Sequence, residues 1–82
     1  MELRYTGRAE DDLKKFSREI RERIMQKMQF FISVPEPLKF AKRLTDDLEG
    51  DFAFRVNDWR IKFTVSKNTI IVHRVKHRPT AY

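Results

Sequence analysis

The chain contains no cysteine, only two glycines and only three prolines in 82 residues. Without cysteine no disulfide can brace the fold, and a zinc site would have no thiolate and only two histidines to draw on. The same absence fits the cytosol. No apolar run approaches the roughly 18 residues of a membrane span. The N-terminus, Met1-Glu-Leu-Arg-Tyr, lacks the apolar stretch of a signal peptide. A cytoplasmic protein with no membrane partner is expected. No repeat or low-complexity linker divides the chain, so residues 1–82 are expected to form one domain. At this length folding should hide only about 60–65% of the surface an unfolded chain exposes, which means a single thin core.

Acid is the scarcest commodity in the C-terminal part. Residues 52–82 hold one carboxylate, Asp58, against seven bases: Arg55, Arg60, Lys62, Lys67, Arg74, Lys76 and Arg78. Residues 1–51 carry eleven bases and eleven acids, so the whole net charge of +6 resides in the last 31 residues. Such a surplus points to a polyanionic partner, nucleic acid first. On composition alone, a charge balance that merely favours solubility explains it equally.

Residues 1–6 alternate, with Leu3 and Tyr5 on one face, and predict a short strand. Thr6 then suits a helix N-cap, with Glu10, Asp11 and Asp12 near the positive dipole end. From Ala9 to Phe31 apolar residues recur at steps of three and four, the spacing of an amphipathic helix. Ser17 is a second capping residue, so the spacing predicts helices at about 8–16 and 18–33, closed by Pro35 and Pro37. Residues 38–50 read as a connection with room for a helical turn, ending at Gly50.

The period then becomes two. Residues 52–56, 59–65 and 69–76 read as three strands of an antiparallel meander. The fold class is α+β: an N-terminal strand and two helices, a hairpin or a kinked pair, packed on one face of an antiparallel sheet that ends in a three-stranded meander. A two-residue turn at Asn57-Asp58 pairs Arg55 with Arg60 and Phe54 with Ile61, and it sends Phe52, Phe54, Val56, Trp59, Ile61 and Phe63 to the helices. For the next hairpin, a two-residue loop at Lys67-Asn68 would set Arg74 opposite Ile61, in the core. Burying an unpaired guanidinium costs several kcal/mol. A three-residue loop at Ser66-Lys67-Asn68 is therefore expected, pairing Arg60 with Arg74 and turning His73 toward the helices. Arg55, Arg60 and Arg74 would then cross the open face in a row, flanked by Lys62 and Lys76. Like charges facing one another weaken a sheet, so a row of them suggests a ligand more than a need of folding.

These residues resemble the RelE/ParE superfamily of toxins from type II toxin–antitoxin pairs, in its RelE-like branch. Phe52-Ala-Phe-Arg-Val-Asn-Asp-Trp-Arg-Ile-Lys-Phe is similar to the family hairpin "tyrosine-arginine-x-arginine-valine-glycine-aspartate-tyrosine-arginine". Val72-His-Arg-Val-Lys-His-Arg-Pro-Thr-Ala-Tyr is similar to its closing strand and "histidine-arginine…tyrosine" tail. The resemblance runs over essentially the whole chain, the helical half being generic. It implies a ribosome-dependent endoribonuclease, an mRNA interferase, which cuts message in the decoding site by 2′-hydroxyl attack without metal or cofactor. Carried over by position, Arg60 binds the scissile phosphate and Arg78 supports transition-state charge. Tyr82 stacks on a base or assists proton transfer, and Arg55 lies near the nucleophile. Lys62, Arg74 and Lys76 bind RNA.

His77 is the candidate general acid, since an ordinary imidazole pKa of about 6.5 suits proton transfer near neutrality. Glu36, in the Pro35-Glu-Pro-Leu-Lys run, resembles a general base of one branch, with Arg55 as the other candidate for that role. A loop acid is the plainer reading of Glu36. Departures are Ala53, where many members carry a second cation, Asn57 in place of the turn glycine, and Lys76 in place of a glycine. Two other readings stay open: a ParE-like poison of DNA gyrase, or a catalytically weakened basic RNA-binding module. The implied partners are an antitoxin with an acidic wrapping segment, for which Met25 or Phe30 is candidate surface, and the mRNA-bearing ribosome with its 16S rRNA.

Overall fold

In a computed structural model of the chain, residues 1–77 are described. The elements follow in the order β1 (Glu2–Tyr5), α1 (Gly7–Lys14), α2 (Arg18–Ser33), a 3-10 turn (Pro37–Phe40), β2 (Ala41–Arg43), β3 (Phe52–Val56), β4 (Trp59–Ser66) and β5 (Thr69–His77). Thr6 starts α1 as its sequence position predicts: its hydroxyl accepts from the Ala9 amide at 3.2 Å and donates to the His73 carbonyl at 3.2 Å. Ser17 caps α2 in the same way, accepting from the Ile20 amide at 3.3 Å. Each cap satisfies a backbone donor that the first helical turn leaves without a partner.

The sheet has five strands in the order β1-β5-β4-β3-β2. β1 runs parallel to β5 and every other pair is antiparallel, so the sheet is mixed where a wholly antiparallel one was expected. β2 was expected to be part of a connection. Its three residues are too few to show an alternation, and it exists by pairing with β3 at the sheet edge. On the core face α2 contributes Ile24, Met28 and Phe31, all buried. Phe31 stacks on Phe54 at 4.0 Å between centroids, and Phe54 on Phe63 at 4.4 Å. Trp59 packs against this core at its margin, edge-on to Phe16 at 6.0 Å. No helix among the described residues is long and apolar enough to cross a membrane.

The β3–β4 hairpin has the expected register, Arg55 opposite Arg60 and Phe54 opposite Ile61. The β4–β5 hairpin does not. Its loop has two residues, Lys67 and Asn68, both at positive φ (47° and 62°), the pattern of a primed hairpin turn. Arg74 still avoids the core, because a bulge between Phe63 and Lys62 gives β5 one extra residue, His73. Beyond the bulge Arg74 faces Lys62, Val75 faces Ile61 and Lys76 faces Arg60. The energetic objection to a buried guanidinium was sound; the chain answers it with a bulge instead of a longer loop.

Candidate nucleic-acid interface

The sheet face turned away from α2 carries two rows of side chains across the strands. One is Arg55–Arg60–Lys76 and the other is Lys42–Ala53–Lys62–Arg74, each member opposite the next in register. Lys76 thus takes the place expected for Arg74 beside Arg60. Cross-strand partners share a face and stand about 4.5–5.5 Å apart at Cβ, so these cations form one patch.

The patch is divided by an acidic loop. Gly50 lies so close to β4 that a Cβ there would sit 2.9 Å from the Phe63 backbone nitrogen. Only glycine fits this approach without a shift of backbone. The approach lays Asp47 and Glu49 on the sheet. Glu49 takes Lys76 at 2.6 Å, Arg74 at 2.7 Å and Lys62 at 3.2 Å, while Asp47 takes Lys62 at 2.9 Å. The Lys76 ammonium, aided by Lys62 and opposed by burial, pulls the Glu49 carboxyl from its ordinary 4.5 to about 2.

Asp12 closes the other side of Arg74. α1 lies alongside the part of β5 that extends past β1, and its Asp12 side chain, only 9% exposed, meets Arg74 in two hydrogen bonds of 2.7 and 3.1 Å. The same carboxylate accepts from the Val75 amide at 2.9 Å. Burial pushes the Asp12 carboxyl up, but Arg74 and this amide outweigh it and hold the group below its usual range. Asp12 therefore does the work of an adjacent strand for an otherwise unpaired edge amide.

The other half of the patch is different. Lys42, Arg55 and Arg60 meet no carboxylate among the described residues, and together they rim a cleft of about 170 Å³ floored by Ala53 and walled by Phe40 and Leu44. The Arg55 side chain donates from Nε to the Asn57 carbonyl at 3.3 Å.

The remaining candidates are scattered. His77 lies opposite Trp59, its ring 5.2 Å from the indole, and so stands on the helix side of the sheet while Arg60 faces the other way. His73, expected toward the helices, is turned by the bulge to the open face. There its Nε2 meets the Thr64 hydroxyl at 2.8 Å, and it lines a cavity of about 540 Å³ with Thr64 and Arg74 under the acidic loop. Glu36 is exposed and paired with Lys39 at 3.1 Å, and it is not among the residues that line the Arg60 cleft. Arg78 and Tyr82 lie outside the described residues. Reasoning from sequence missed Lys42, Asp12, Asp47 and Glu49. The last two had a signal, since Asp46, Asp47, Glu49 and Asp51 form an acidic cluster just ahead of the basic stretch.

The family described as the ParE toxin of type II toxin–antitoxin systems, parDE, matches residues 3–82, and the chain belongs to it. It is a type II toxin of the shared RelE/ParE fold. Among solved structures it is similar to the toxin–antitoxin complex RelBE2 of Mycobacterium tuberculosis, with 29% identity and a TM-score of 0.81 over 94% of this chain and 90% of that one. It is similar also to the RelB–RelE complex of Methanococcus jannaschii (28%, TM-score 0.63, 90% and 88% covered). The Escherichia coli RelBE complex shares the fold at 15% identity and TM-score 0.70, covering 98% of both chains. No curated protein matches the chain.

Proposed function

We propose that this toxin is a ribosome-dependent mRNA interferase. The observation that carries the reading is the pair Arg55 and Arg60, which meet no carboxylate among the described residues and face each other on the open sheet beside the Ala53 cleft. In the proposed reaction the ribose 2′-oxygen attacks the adjacent phosphorus. The P–O5′ bond breaks, the 2′-hydroxyl proton leaves to a base, and the departing 5′-oxygen takes up a proton. The products are a 2′,3′-cyclic phosphate and a 5′-hydroxyl end. Charge accumulates on the phosphate oxygens in the transition state, where fixed cations are worth most. Arg60 is the residue proposed for that charge, Arg55 stands near the nucleophile, and Arg78 and Tyr82 complete the set from the tail. Lys62, Arg74 and Lys76 already share carboxylates, so of these three Lys76, with 42% of its side chain exposed, is the one best able to reach RNA.

The solved relatives are complexes with antitoxins, and an antitoxin is the proposed partner here as well. Its acidic, amphipathic segment would cover Arg60. Met25 and Phe30, 44% and 45% exposed, supply apolar surface for it.

A second reading, a poison of DNA gyrase, is favoured by the ParE description of the matching family. Mapping RNA 5′ ends after induction of the toxin separates the two. The interferase gives new 5′-hydroxyl ends within codons of translated messages. Intact messages with accumulating double-strand DNA breaks would replace it by the gyrase reading.

A further inference from the structure

The row Lys42–Ala53–Lys62–Arg74 leaves one gap in charge on β3, the alanine at position 53. The sheet fills it from a neighbouring strand. β2 sets Lys42 directly opposite Ala53, and the diagonal from Lys42 to Arg55 spans about 7–8 Å in ordinary sheet geometry. Lysine and arginine side chains on these positions can converge on one small anion. Ala53 is itself buried at 8% exposure, and its short side chain leaves the cleft between Lys42, Arg55 and Arg60 open.

Three features suit this cleft to phosphate. Its about 170 Å³ falls below the roughly 300–1,000 Å³ of pockets that enclose a whole drug-sized ligand, and it matches a group of a few atoms. Its three cations meet no carboxylate among the described residues, whereas those of the adjoining half are tied to Asp12, Asp47 and Glu49. Phe40 and Leu44 form an apolar wall, which keeps water from one side and strengthens the field of the cations within.

We infer that Lys42 is a phosphate-binding residue of this toxin: with Arg55 and Arg60 it holds a backbone phosphate of the RNA in the Ala53 cleft, supplying from β2 the charge that position 53 lacks. The inference rests on the interferase reading. Lys42 is exposed on an edge strand and supports no core contact, so its removal leaves the fold intact.

The test is single-turnover cleavage of a short message on programmed ribosomes, with thermal melting of each variant alongside. Lys42→Ala should cut about ten- to a hundredfold more slowly, the scale of one lost contact to developing phosphate charge. Lys42→Arg should stay within a few-fold of the parent, about threefold, because it keeps the charge on a stem of similar reach. The slope of log binding against log salt should fall by about 0.7 in Lys42→Ala, one phosphate contact on a single strand. A Lys42→Ala protein that cuts as fast as the parent, while Arg60→Ala is inactive, overturns the inference and leaves the interferase reading standing. Equal loss in Lys42→Arg and Lys42→Ala also overturns it, since charge would then not be what position 42 supplies. A parent that cuts no message removes both.

Discussion

The basic face of the sheet has two halves built from the same residue types and put to different uses. In one, Lys62, Arg74 and Lys76 converge on Glu49, with Asp47 and Asp12 at the sides. In the other, Lys42, Arg55 and Arg60 surround a cleft with no carboxylate against them among the described residues. The first half resembles a structural ion network. Its charges neutralise one another, it ties α1 and the loop before β3 to the sheet, and its hydrogen bonds satisfy the Val75 amide. The second half keeps three like charges together at an energetic cost, which binding a polyanion would offset. A count of lysines and arginines treats the halves as equal; the positions of three carboxylates separate them.

The sharpest way to break this contrast is Arg60→Ala. Cleavage of ribosome-bound message should fall by about a hundredfold or more, with the melting temperature almost unchanged. A large fall in melting temperature instead would make Arg60 structural and erase the distinction. The mirror-image experiment is Asp12→Ala, which takes from Arg74 one of its two carboxylate partners, Glu49 remaining, and from the Val75 amide its acceptor. Loss of charge-assisted hydrogen bonds in a covered site should cost about 2–3 kcal/mol, visible in urea unfolding, before any effect on RNA.

Glu49→Gln probes the network more gently. The folded carboxyl titrates below the unfolded one, so Glu49 stabilises the protein at all pH values above its ordinary 4.5. That contribution drains away as pH falls toward about 2. The parent should therefore lose melting temperature between these values more steeply than Glu49→Gln, and equal slopes would remove Glu49 from the network. At neutral pH the same variant should bind single-stranded RNA a few-fold more tightly, about threefold at low salt, because one anion has left the patch.

The smallest effect is expected from His77→Gln. With its ring on Trp59 and its side of the sheet opposite Arg60, His77 should change the cleavage rate by less than about threefold. A loss of a hundredfold would return the role of general acid to it.

Much of the architecture was legible because it is written in local periodicity. Thr6 and Ser17 announce both helix starts, and the alternation in residues 52–65 sets the first hairpin register to the residue. The second hairpin was not legible, since a bulge leaves no mark in an alternating pattern except a single displaced residue, here His73. β2 escaped for another reason: three residues carry no period, and their strand character comes from the β3 edge. The same blind spot concealed Lys42, whose interest depends on lying opposite Ala53.

By itself the sequence determined the element order, the core face of the meander and the segregation of charge, neutral through residue 51 and basic after it. These follow from spacing along the chain. The tertiary structure decided which of those charges meet a carboxylate among the described residues. Asp12 lies 62 residues before Arg74 and Glu49 lies 25 before it, distances over which no local pattern operates. Folding returns acids of the neutral half to the basic sheet and neutralises part of it. The part left over, Lys42, Arg55 and Arg60, is smaller than the net charge suggested, and it is a place with a shape.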